Sequence, residues 1–528
     1  MKNAGLGTWI SRRRAKSRGD VAIIWSGGPL RYEELDDRII RLSTALLARG
    51  VSFGDRVVFV GDNHPDFLTT FFACGAIGAI FVPLNTRLAP GELEYMIDDC
   101  GATTLVTHQS TRELARAAAW SSGIVRRFVI DGPADLPAVE SFDDVLQAAS
   151  GDLPEVEVGF DDPAMILYTS GTTGRPKGAV LTHGNLTWNC INALVDYDVT
   201  SNEVALLIAP MFHVASLSMG ALPTLLKGGT VVLHEKFDPG AVLEAIESHR
   251  VTSLSGVPTT FQLIAEHPAW ATTDLSSLRK LTCGGSSVPL RVIEAYEQRD
   301  LSFSSGYGMT ETAPGATALP YRKAREHVGS SGLPHFFTDV RIVGPDGHAL
   351  PPGEAGEIQI SGPNVITQYW NRPGATSEAT DGEWFRSGDI GYLDADGYLT
   401  VSDRLKDMII SGAENIYPAE VEQLIMEITD ITAVAVIGVP DDRWGEVPLA
   451  IVALRPGTQL AADDVLTPLK GRLAKYKIPR AVVFVDDLPR TASGKVRKTD
   501  LRKRFTALPS TALPSTALPE HHHGEAIS

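Results

Sequence analysis

Short aliphatic runs alternate with amphipathic stretches from about residue 32 to 328, and this alternation constrains the fold more than any other feature of the sequence. The runs are as short as strands and include 57–60, 104–106, 204–208 and 230–233. Strands that are covered on both faces read as continuous apolar runs, and the stretches between them have helical periodicity. The pattern therefore predicts an α/β fold built from layered subdomains with parallel sheets.

The last third of the sequence has a different organisation. Between Gly329 and Leu399, three predicted strands at 340–343, 356–360 and 391–393 are separated by Asp-Gly and Pro-Gly turns, which is typical of a small antiparallel β unit. Beyond it, a helix near 418–428 and strands at 433–437, 450–454 and 482–485 predict a small α+β domain. We predict a large N-terminal domain at 1–402 that includes the β unit, a small mobile C-terminal domain at 403–505, and a tail at 506–528.

The predicted tail repeats Thr-Ala-Leu-Pro three times and then carries three consecutive histidines, His521 to His523. Low complexity with regularly spaced proline indicates disorder. The histidines could bind a metal weakly, but their setting favours a solvated segment. We assign no function to this tail.

Charge and cysteine usage narrow the class of protein. The 528 residues carry 47 Lys and Arg against 64 Asp and Glu, a formal charge of −17. The resulting field repels nucleic acid and anionic membranes, so we predict no nucleic-acid partner and at most transient membrane contact.

The four cysteines form no Cys-x-x-Cys pair, which excludes a zinc ribbon or disulfide scaffold and predicts a cytoplasmic protein. The apolar stretch 67–82 is interrupted by glycines and is too short to span a bilayer, and no signal peptide is recognisable.

The segment Tyr168 to Gly178 combines glycines, hydroxyls and a lysine in one predicted loop. Glycine lets the backbone approach a ligand, while hydroxyls, N–H groups and an ammonium donate to anionic oxygens. Because Lys177 follows a proline, and because strands are predicted at 164–168 and 179–182 with a helix only near Asn185, this is not the common P-loop. An ordinary Gly/Ser/Thr turn is the alternative to a phosphate site. The predicted phosphate-binding residues are Thr169, Ser170, Gly171, Thr172, Thr173, Gly174 and Lys177.

Four further motifs follow this loop in sequence. They are Gly306 to Thr312 (GYGMTET), Trp384 to Asp389 (WFRSGD), Asp403 to Asp407 (DRLKD) and Pro489 to Lys495 (PRTASGK). In this order the five motifs resemble those of the adenylate-forming, or AMP-binding, acyl-CoA synthetase superfamily, most closely the bacterial fatty-acyl-CoA ligases. The resemblance covers about residues 20 to 505.

The resemblance implies a two-step reaction that uses ATP, Mg²⁺ and coenzyme A. A carboxylate attacks the α-phosphorus of ATP, giving acyl-AMP and pyrophosphate, and a thiol then displaces AMP. Charge builds on the phosphates in the first step, so donors and cations must be aimed there. By resemblance, Lys495 bridges the carboxylate and the α-phosphate, Thr310 binds the α-phosphate and Glu311 binds magnesium. Taken alone, Glu311 would equally suit a helix start.

The same resemblance assigns the remaining nucleotide and thiol contacts. Asp389 would bind both ribose hydroxyls, although a turn residue is its ordinary interpretation, and Arg404 would add a second ribose contact. Lys406 would be the hinge about which the small domain rotates. The rotation would present Lys495 for adenylation and Ser411 with Gly412 for thioester formation. The other implied nucleotide-binding residues are Gly306, Tyr307, Gly308, Gly285, Ser286 and Ser287.

The acyl pocket is implied by Pro210 to Ala215, where His213 would flank the carboxylate entrance, with Val214, Ala215 and Gly306 beside the acyl group. A lone histidine in an apolar run is more often a core residue. The methyl group of Ala215 leaves room for a longer chain, and no arginine is present in this segment to pair with a second carboxylate.

We therefore predict an ATP-dependent ligase of coenzyme A and a monocarboxylic acid, with a medium or long fatty acid preferred and an aryl acid as the alternative. Transfer to a carrier protein or an amine is a second possibility. A catalytically inactive nucleotide-binding regulator is disfavoured, because Lys495, Glu311 and Asp389 are all retained.

Overall fold

The computed structural model describes most of the chain and has a mixed α/β architecture. The described residues are 3–119, 123–135, 138–169, 175–284, 290–327, 329–404, 409–412, 414–416, 418–455, 457–489, 496 and 498–505. They form a larger unit from within 1–86, 93–169 and 177–405, and a smaller one from within 87–92, 170–176 and 406–528. The predicted fold class is confirmed, whereas the predicted domain boundaries stay predictions and the tail from residue 506 lies outside the described residues.

The first part of the chain alternates helices and strands, as its apolar runs predict. Its elements are α1 Trp9–Ser17, β1 Val21–Trp25, β2 Gly28–Arg31, α2 Tyr32–Ala48, β3 Arg56–Val60, α3 Pro65–Ile77, β4 Ile80–Pro83, α4 Pro90–Cys100, β5 Thr104–His108, α5 Arg112–Ala119, β6 Arg126–Ile130, β7 Val139–Ser141 and α6 Phe142–Ala148.

The second part continues the alternation. Its elements are β8 Pro163–Thr169, β9 Lys177–Thr182, α7 His183–Asp196, β10 Val204–Leu207, a π-helical turn Ser216–Ala221, α8 Leu222–Lys227, β11 Thr230–Leu233, α9 Pro239–Ser248, β12 Ser253–Gly256, α10 Pro258–Glu266, β13 Lys280–Cys283, α11 Leu290–Glu297, β14 Phe303–Gly308, β15 Gly315–Leu319, α12 Tyr321–Ala324 and β16 Leu333–Pro334.

These strands form two large sheets with parallel centres. The first has seven strands in the order β7-β6-β5-β3-β4-β8-β9, and the second has nine in the order β16-β15-β14-β13-β12-β10-β11-β1-β2. In the first sheet only the pair β8 and β9 is antiparallel, and in the second the antiparallel pairs lie at the two edges. The predicted strand pair around the phosphate loop is confirmed, and α7 begins two residues before the predicted start.

The antiparallel unit that the turn pattern predicts is also present. It comprises β17 Asp339–Val343, β18 Gly356–Ser361, α13 Pro373–Ala379, β19 Thr380–Asp381, β20 Trp384–Leu393 and β21 Leu399–Arg404, and every strand pair in it is antiparallel. This sheet brings Asp389 and Arg404 directly opposite each other, since they are register partners on β20 and β21.

The smaller unit has one five-stranded sheet with helices. Its elements are β22 Ile409–Ser411, β23 Glu414–Ile416, α14 Pro418–Ile425, β24 Ile431–Asp441, β25 Gly445–Leu454, α15 Ala462–Leu466, β26 Ala481–Val485 and α16 Lys498–Phe505. Alternate residues of β24 and β25 pack into two separate apolar clusters, one on each face of the sheet. A sheet that is buried on both faces explains the continuous apolar runs in this part of the sequence.

The most apolar stretch of the sequence forms a core helix followed by a strand. All residues of α3 are buried, and the helix ends at Gly78, whose φ of 71° lies in the left-handed region that favours glycine. The chain then enters β4. Within the described residues, no helix is long and apolar enough to cross a membrane. The four cysteines are buried and unpaired.

Candidate active site

Glu311 lies at a point where three distant parts of the sequence meet in the larger unit. Its Oε1 accepts hydrogen bonds from Thr169 Oγ1 at 3.3 Å and from Tyr369 Oη at 2.8 Å. The Nζ of Lys177 lies 5.6 Å from the centroid of the Tyr369 ring, within the range of a cation–π contact. The two described ends of the predicted phosphate loop, Thr169 and Lys177, therefore lie beside the predicted magnesium ligand.

The backbone around Glu311 is held in place by buried hydrogen bonds. Ile366 N donates to Glu311 O at 2.9 Å. The side chain of Asn364, which is fully buried, donates to Thr312 O at 2.8 Å and to Gly315 O at 2.7 Å. Because buried backbone carbonyls need partners, these contacts fix the loop and with it the direction of the Glu311 carboxylate.

Sequence reasoning missed Tyr369. Its neighbours pair with β9, since Trp370 N donates to Gly178 O at 2.7 Å and Val180 N donates to Gln368 O at 3.2 Å. This pairing brings the Tyr369 phenol to Glu311. The only local signal is a tyrosine just before a polar turn, and such a pattern does not indicate a partner some sixty residues away.

The Glu311 carboxylate fits a magnesium ion. Its Oε2 accepts no hydrogen bond from any described residue, while Oε1 is occupied by the two hydroxyls. Mg²⁺ is usually held by one or two carboxylates together with substrate phosphates. A fixed carboxylate with one unoccupied oxygen beside a phosphate loop meets that requirement.

Asp389 is oriented by Tyr307, a residue of the second nucleotide motif. Tyr307 Oη donates to Asp389 Oδ2 at 2.7 Å, and Asp389 N donates to Ser387 Oγ at 3.0 Å. Oδ1 accepts no hydrogen bond from a described side chain. The backbone of Arg404 lies opposite Asp389, but the Arg404 side chain is outside the description. The carboxylate therefore retains one oxygen that could accept hydrogen bonds from a diol.

Tyr307→Phe should raise the KM for ATP about 10-fold, because a hydrogen bond to a charged group contributes about 1.5–3 kcal/mol. The kcat should change less, since the lost contact orients a binding group. Tyr392→Phe, on the same strand as Asp389, is the matched control, because the Tyr392 hydroxyl makes no hydrogen bond to a described residue. An ATP saturation curve that is identical for both variants and the unmodified enzyme would contradict the assignment.

Asn63 holds the predicted acyl segment in place and links the two large sheets. Its Nδ2 donates to Ala209 O and to His234 O, each at 3.0 Å, and its Oδ1 accepts from Met211 N at 2.8 Å. Asn63 is buried and follows β3, so it ties the end of a strand in one sheet to loops of the other. Sequence reasoning missed this residue as well, because an asparagine after a strand usually indicates only a turn.

Beyond Met211 the segment leads into the π-helical turn. His213 is half-buried, Val214 is buried and Ala215 is exposed. The turn Ser216–Ala221 follows directly, and π-helical turns occur frequently at functional sites. Of the three predicted acyl-contact residues in this segment, only Ala215 presents its side chain mainly to solvent.

Tyr168, at the start of the predicted phosphate loop, is anchored away from the Glu311 carboxylate. Its Oη donates to Asp99 Oδ2 at 2.8 Å. Burial raises the pKa of Tyr168 above its ordinary value, so the phenol stays a neutral donor. This contact fixes the end of β8 immediately before Thr169.

In the smaller unit, Gly412 follows Ser411 at the end of β22. Its φ of 63° lies in the left-handed region, and its N donates to Trp444 O at 2.7 Å. A Cβ at this position would lie 3.2 Å from Trp444 Cε3. Glycine is therefore favoured by both the backbone and the indole, while the predicted role of Ser411 and Gly412 towards a thiol stays a prediction.

Several predicted site residues lie outside the described residues, and their roles stay predictions. They are Ser170, Gly171, Thr172, Thr173, Gly174, Gly285, Ser286, Ser287, Lys406 and Lys495.

Comparison with known families finds matches along most of the chain. Residues 10–370 match the family described as AMP-binding enzyme, and residues 420–495 match the AMP-binding enzyme C-terminal domain. The two matches together contain three of the five motifs, and the motifs at 384–389 and 403–407 lie in the segment between the matches.

Individual relatives match nearly the full length. A feruloyl-CoA synthase of Amycolatopsis sp is 52% identical over 505 residues, covering 96% of this chain and 100% of the relative. A long-chain-fatty-acid–CoA ligase, FadD13, of Mycobacterium tuberculosis is 36% identical and covers 96% and 99%. Among solved structures, an o-succinylbenzoate CoA synthetase from Bacillus subtilis has a TM-score of 0.83 at 31% identity and covers 94% and 98%.

Proposed function

The chain belongs to the AMP-binding enzyme family and is an AMP-forming acyl-CoA ligase, and from this premise we propose that its acid is an aromatic monocarboxylic acid of the hydroxycinnamate type. One observation carries the proposal: the feruloyl-CoA synthase matches 96% of the chain at 52% identity.

The comparisons favour the aryl acid over the fatty acid that the sequence analysis preferred. The long-chain-fatty-acid–CoA ligase is only 36% identical over the same share of this chain. The solved o-succinylbenzoate CoA synthetase also carries an aromatic acid in its name. The small Ala215 side chain, which suggested a long chain, leaves equal room for a substituted ring.

We assign binding and orientation in the first step to residues of the larger unit and to the predicted phosphate loop. The substrate carboxylate oxygen forms a bond to the α-phosphorus of ATP, and the bond from that phosphorus to the pyrophosphate oxygen breaks. We assign the phosphates to the segment between Thr169 and Lys177, and the ribose to Asp389 as oriented by Tyr307. Glu311 would hold Mg²⁺, which supplies positive charge to the departing phosphate oxygens.

The second step forms the thioester. The sulfur of coenzyme A bonds to the acyl carbon, and AMP leaves with the electron pair of the acyl–oxygen bond. We assign this step to the surface beside Gly412, where the lack of a side chain lets a narrow group approach the backbone. The approach of the thiol, the hinge at Lys406 and a cytoplasmic location all stay predictions.

One assay tests the proposal. The enzyme is incubated with ATP, Mg²⁺ and coenzyme A and with each of ferulate, cinnamate, benzoate and octanoate, while pyrophosphate and thioester are measured separately. We expect both products with ferulate, and a kcat/KM for ferulate at least 10-fold above that for octanoate. A preference for octanoate would overturn the aromatic assignment.

The same assay separates the acceptor alternatives. Transfer to a carrier protein or an amine predicts pyrophosphate in the presence of coenzyme A, but no thioester for any acid. Thioester formation with ferulate would exclude that alternative as the main activity.

A further inference from the structure

Three side chains to which we assign no part in the reaction meet at the carboxyl edge of the seven-stranded sheet. His108 is the last residue of β5, Asp131 follows β6 directly, and His64 lies between β3 and α3. The three strands are neighbours in the order β6-β5-β3, and they run parallel. In open α/β sheets, ligands bind outside the carboxyl ends of the strands. The position of this cluster therefore suits a ligand.

Both histidines direct a ring nitrogen at the same carboxylate oxygen. The Nε2 atoms of His64 and His108 each lie 3.4 Å from Asp131 Oδ2, and one ligand atom from each residue lies within 4.8 Å of the other two. Ligands held at about 2.0–2.1 Å by a tetrahedral zinc ion lie about 3.3–3.4 Å apart. Adjacent ligands of an octahedral ion with similar bond lengths would lie about 3 Å apart. The two separations therefore match a tetrahedral ion.

His64 is buried, and one of its nitrogens has no partner. Its side chain is 8% exposed, and its Nε2 makes no hydrogen bond to any described residue. Polar atoms that are buried in a folded protein are nearly always paired. A cation between this nitrogen and Asp131 would be the missing partner.

The other nitrogen of His64 lies beside an acceptor that suits a metal-bound ring. Nδ1 accepts from Asp66 N at 3.2 Å and lies 3.5 Å from Asp66 Oδ2. Asp66 is buried and is fixed by Arg38, whose Nη2 donates to Oδ1 at 2.7 Å and to Oδ2 at 2.8 Å. When Nε2 binds a metal, the proton of the neutral ring moves to Nδ1, where Asp66 Oδ2 can accept its hydrogen bond. A carboxylate behind a ligating histidine is the usual arrangement at zinc.

A chain of hydrogen bonds determines which nitrogen of His108 carries the proton. His108 Nδ1 lies 2.8 Å from Ser110 Oγ, which donates to Asp62 Oδ2 at 2.9 Å, while Ser110 N makes a longer contact with the same Nδ1 at 3.3 Å. Because a carboxylate only accepts, the hydroxyl gives its proton to Asp62 and accepts from Nδ1–H. Neutral His108 therefore presents the lone pair of Nε2 to Asp131. A lone pair and a carboxylate oxygen 3.4 Å apart repel each other unless a cation lies between them.

We propose that His64, His108 and Asp131 bind one zinc ion, with a water molecule as the fourth ligand. Imidazole and carboxylate are usual zinc ligands, and the tetrahedral spacing favours zinc over Mg²⁺ or Ca²⁺. The Asp131 side chain is 48% exposed, so solvent reaches the fourth position. Asp62 and Glu235 place carboxylate oxygens within 4.8 Å of a His108 nitrogen, and their charge attracts a cation.

The zinc ion has a structural role in this proposal. It joins the ends of β3, β5 and β6 next to Asn63, whose side chain holds the predicted acyl segment. A ligand that binds the folded chain and not the unfolded chain raises the free energy of unfolding. Zinc should therefore raise the melting temperature of the protein.

The test measures Zn²⁺ binding to the whole chain by calorimetry after treatment with a chelator, in the absence of ATP, acid and coenzyme A. The tail histidines could bind zinc themselves, so the background variant replaces His521, His522 and His523 with alanine. We expect one zinc ion per chain in this background. His108→Ala and Asp131→Asn should each weaken binding about 100-fold or more, and Ser110→Ala, which removes the acceptor of Nδ1–H, about 10-fold.

His348→Ala is the matched control. His348 Nδ1 lies 3.3 Å from Asp346 Oδ2, but the side chain is 83% exposed and no third metal-ligating side chain completes a group there among the described residues. This variant should bind zinc as the background does. Zinc should raise Tm in both of them and not in His108→Ala. With Co²⁺ as the probe, the background should show the visible absorption of a tetrahedral cobalt site, and Asp131→Asn should not.

Two results would overturn the inference. The first is no zinc binding in the background variant, which would mean that protonated histidines pair with Asp131 instead. The second is an affinity for zinc that is the same in the background, His108→Ala and Asp131→Asn. Far-ultraviolet circular dichroism establishes folding, and Asp131→Asn, which alters a half-exposed side chain, keeps the test decisive if His108→Ala does not fold. No acid is present, so the outcome does not depend on the proposed function.

Discussion

Replacing Glu311 with glutamine is expected to lower the rate of acid-dependent pyrophosphate release by ~10²–10³. The amide keeps the shape of the side chain, and its oxygen can still accept the hydrogen bonds of Thr169 and Tyr369. The substitution removes the negative charge of the carboxylate, which we expect to bind Mg²⁺. The measurement is a single-turnover assay of pyrophosphate with ferulate over a range of Mg²⁺ concentrations.

Two further results make this prediction specific. A higher Mg²⁺ concentration should recover part of the rate in Glu311→Gln, because the weakened site is then more fully occupied. Tyr369→Phe, which removes one hydrogen bond to the same oxygen and keeps the charge, should cost less than 10-fold. If the glutamine variant releases pyrophosphate at the normal rate, or if Tyr369→Phe is the more damaging change, Glu311 is not the magnesium ligand.

Replacing Lys495 with alanine is expected to separate the two half-reactions. Formation of acyl-AMP should fall by ~10²–10³ or more, because the ammonium that we assign to the carboxylate and the α-phosphate is lost. Conversion of added acyl-AMP and coenzyme A to thioester should continue at near the normal rate. Lys495 lies outside the described residues, so this prediction rests on the motif at 489–495 and on the family match.

The control for Lys495→Ala is Lys503→Ala, which removes an exposed ammonium from α16 and should leave both half-reactions unchanged. Pyrophosphate release and the conversion of synthetic feruloyl-AMP are measured separately for each variant. A similar loss in both half-reactions would contradict a rotation that brings Lys495 to the site for adenylation only.

The class of acid that the enzyme activates could not be predicted from the residues around Ala215 alone. A methyl group at that position indicates that space is available, but it does not indicate the shape of that space. Ser255 and Thr282 are register partners on neighbouring strands of the nine-stranded sheet although they are far apart in sequence. No spacing rule within one segment could have paired them, because parallel register is set by the packing of helices between the strands.

By itself, the sequence determined the α/β class, the antiparallel unit from 329 to 399, the strands around the phosphate loop and the family. These features follow from local periodicity, turn residues and motifs, each of which can be recognised within a short stretch of sequence. Only the tertiary structure decided that Tyr369 and Thr169 share one oxygen of Glu311, that Tyr307 orients Asp389 and that Asn63 joins the two sheets. Such contacts depend on how strands that are distant in sequence align. The sequence around either residue of a pair does not indicate the hydrogen bond between them.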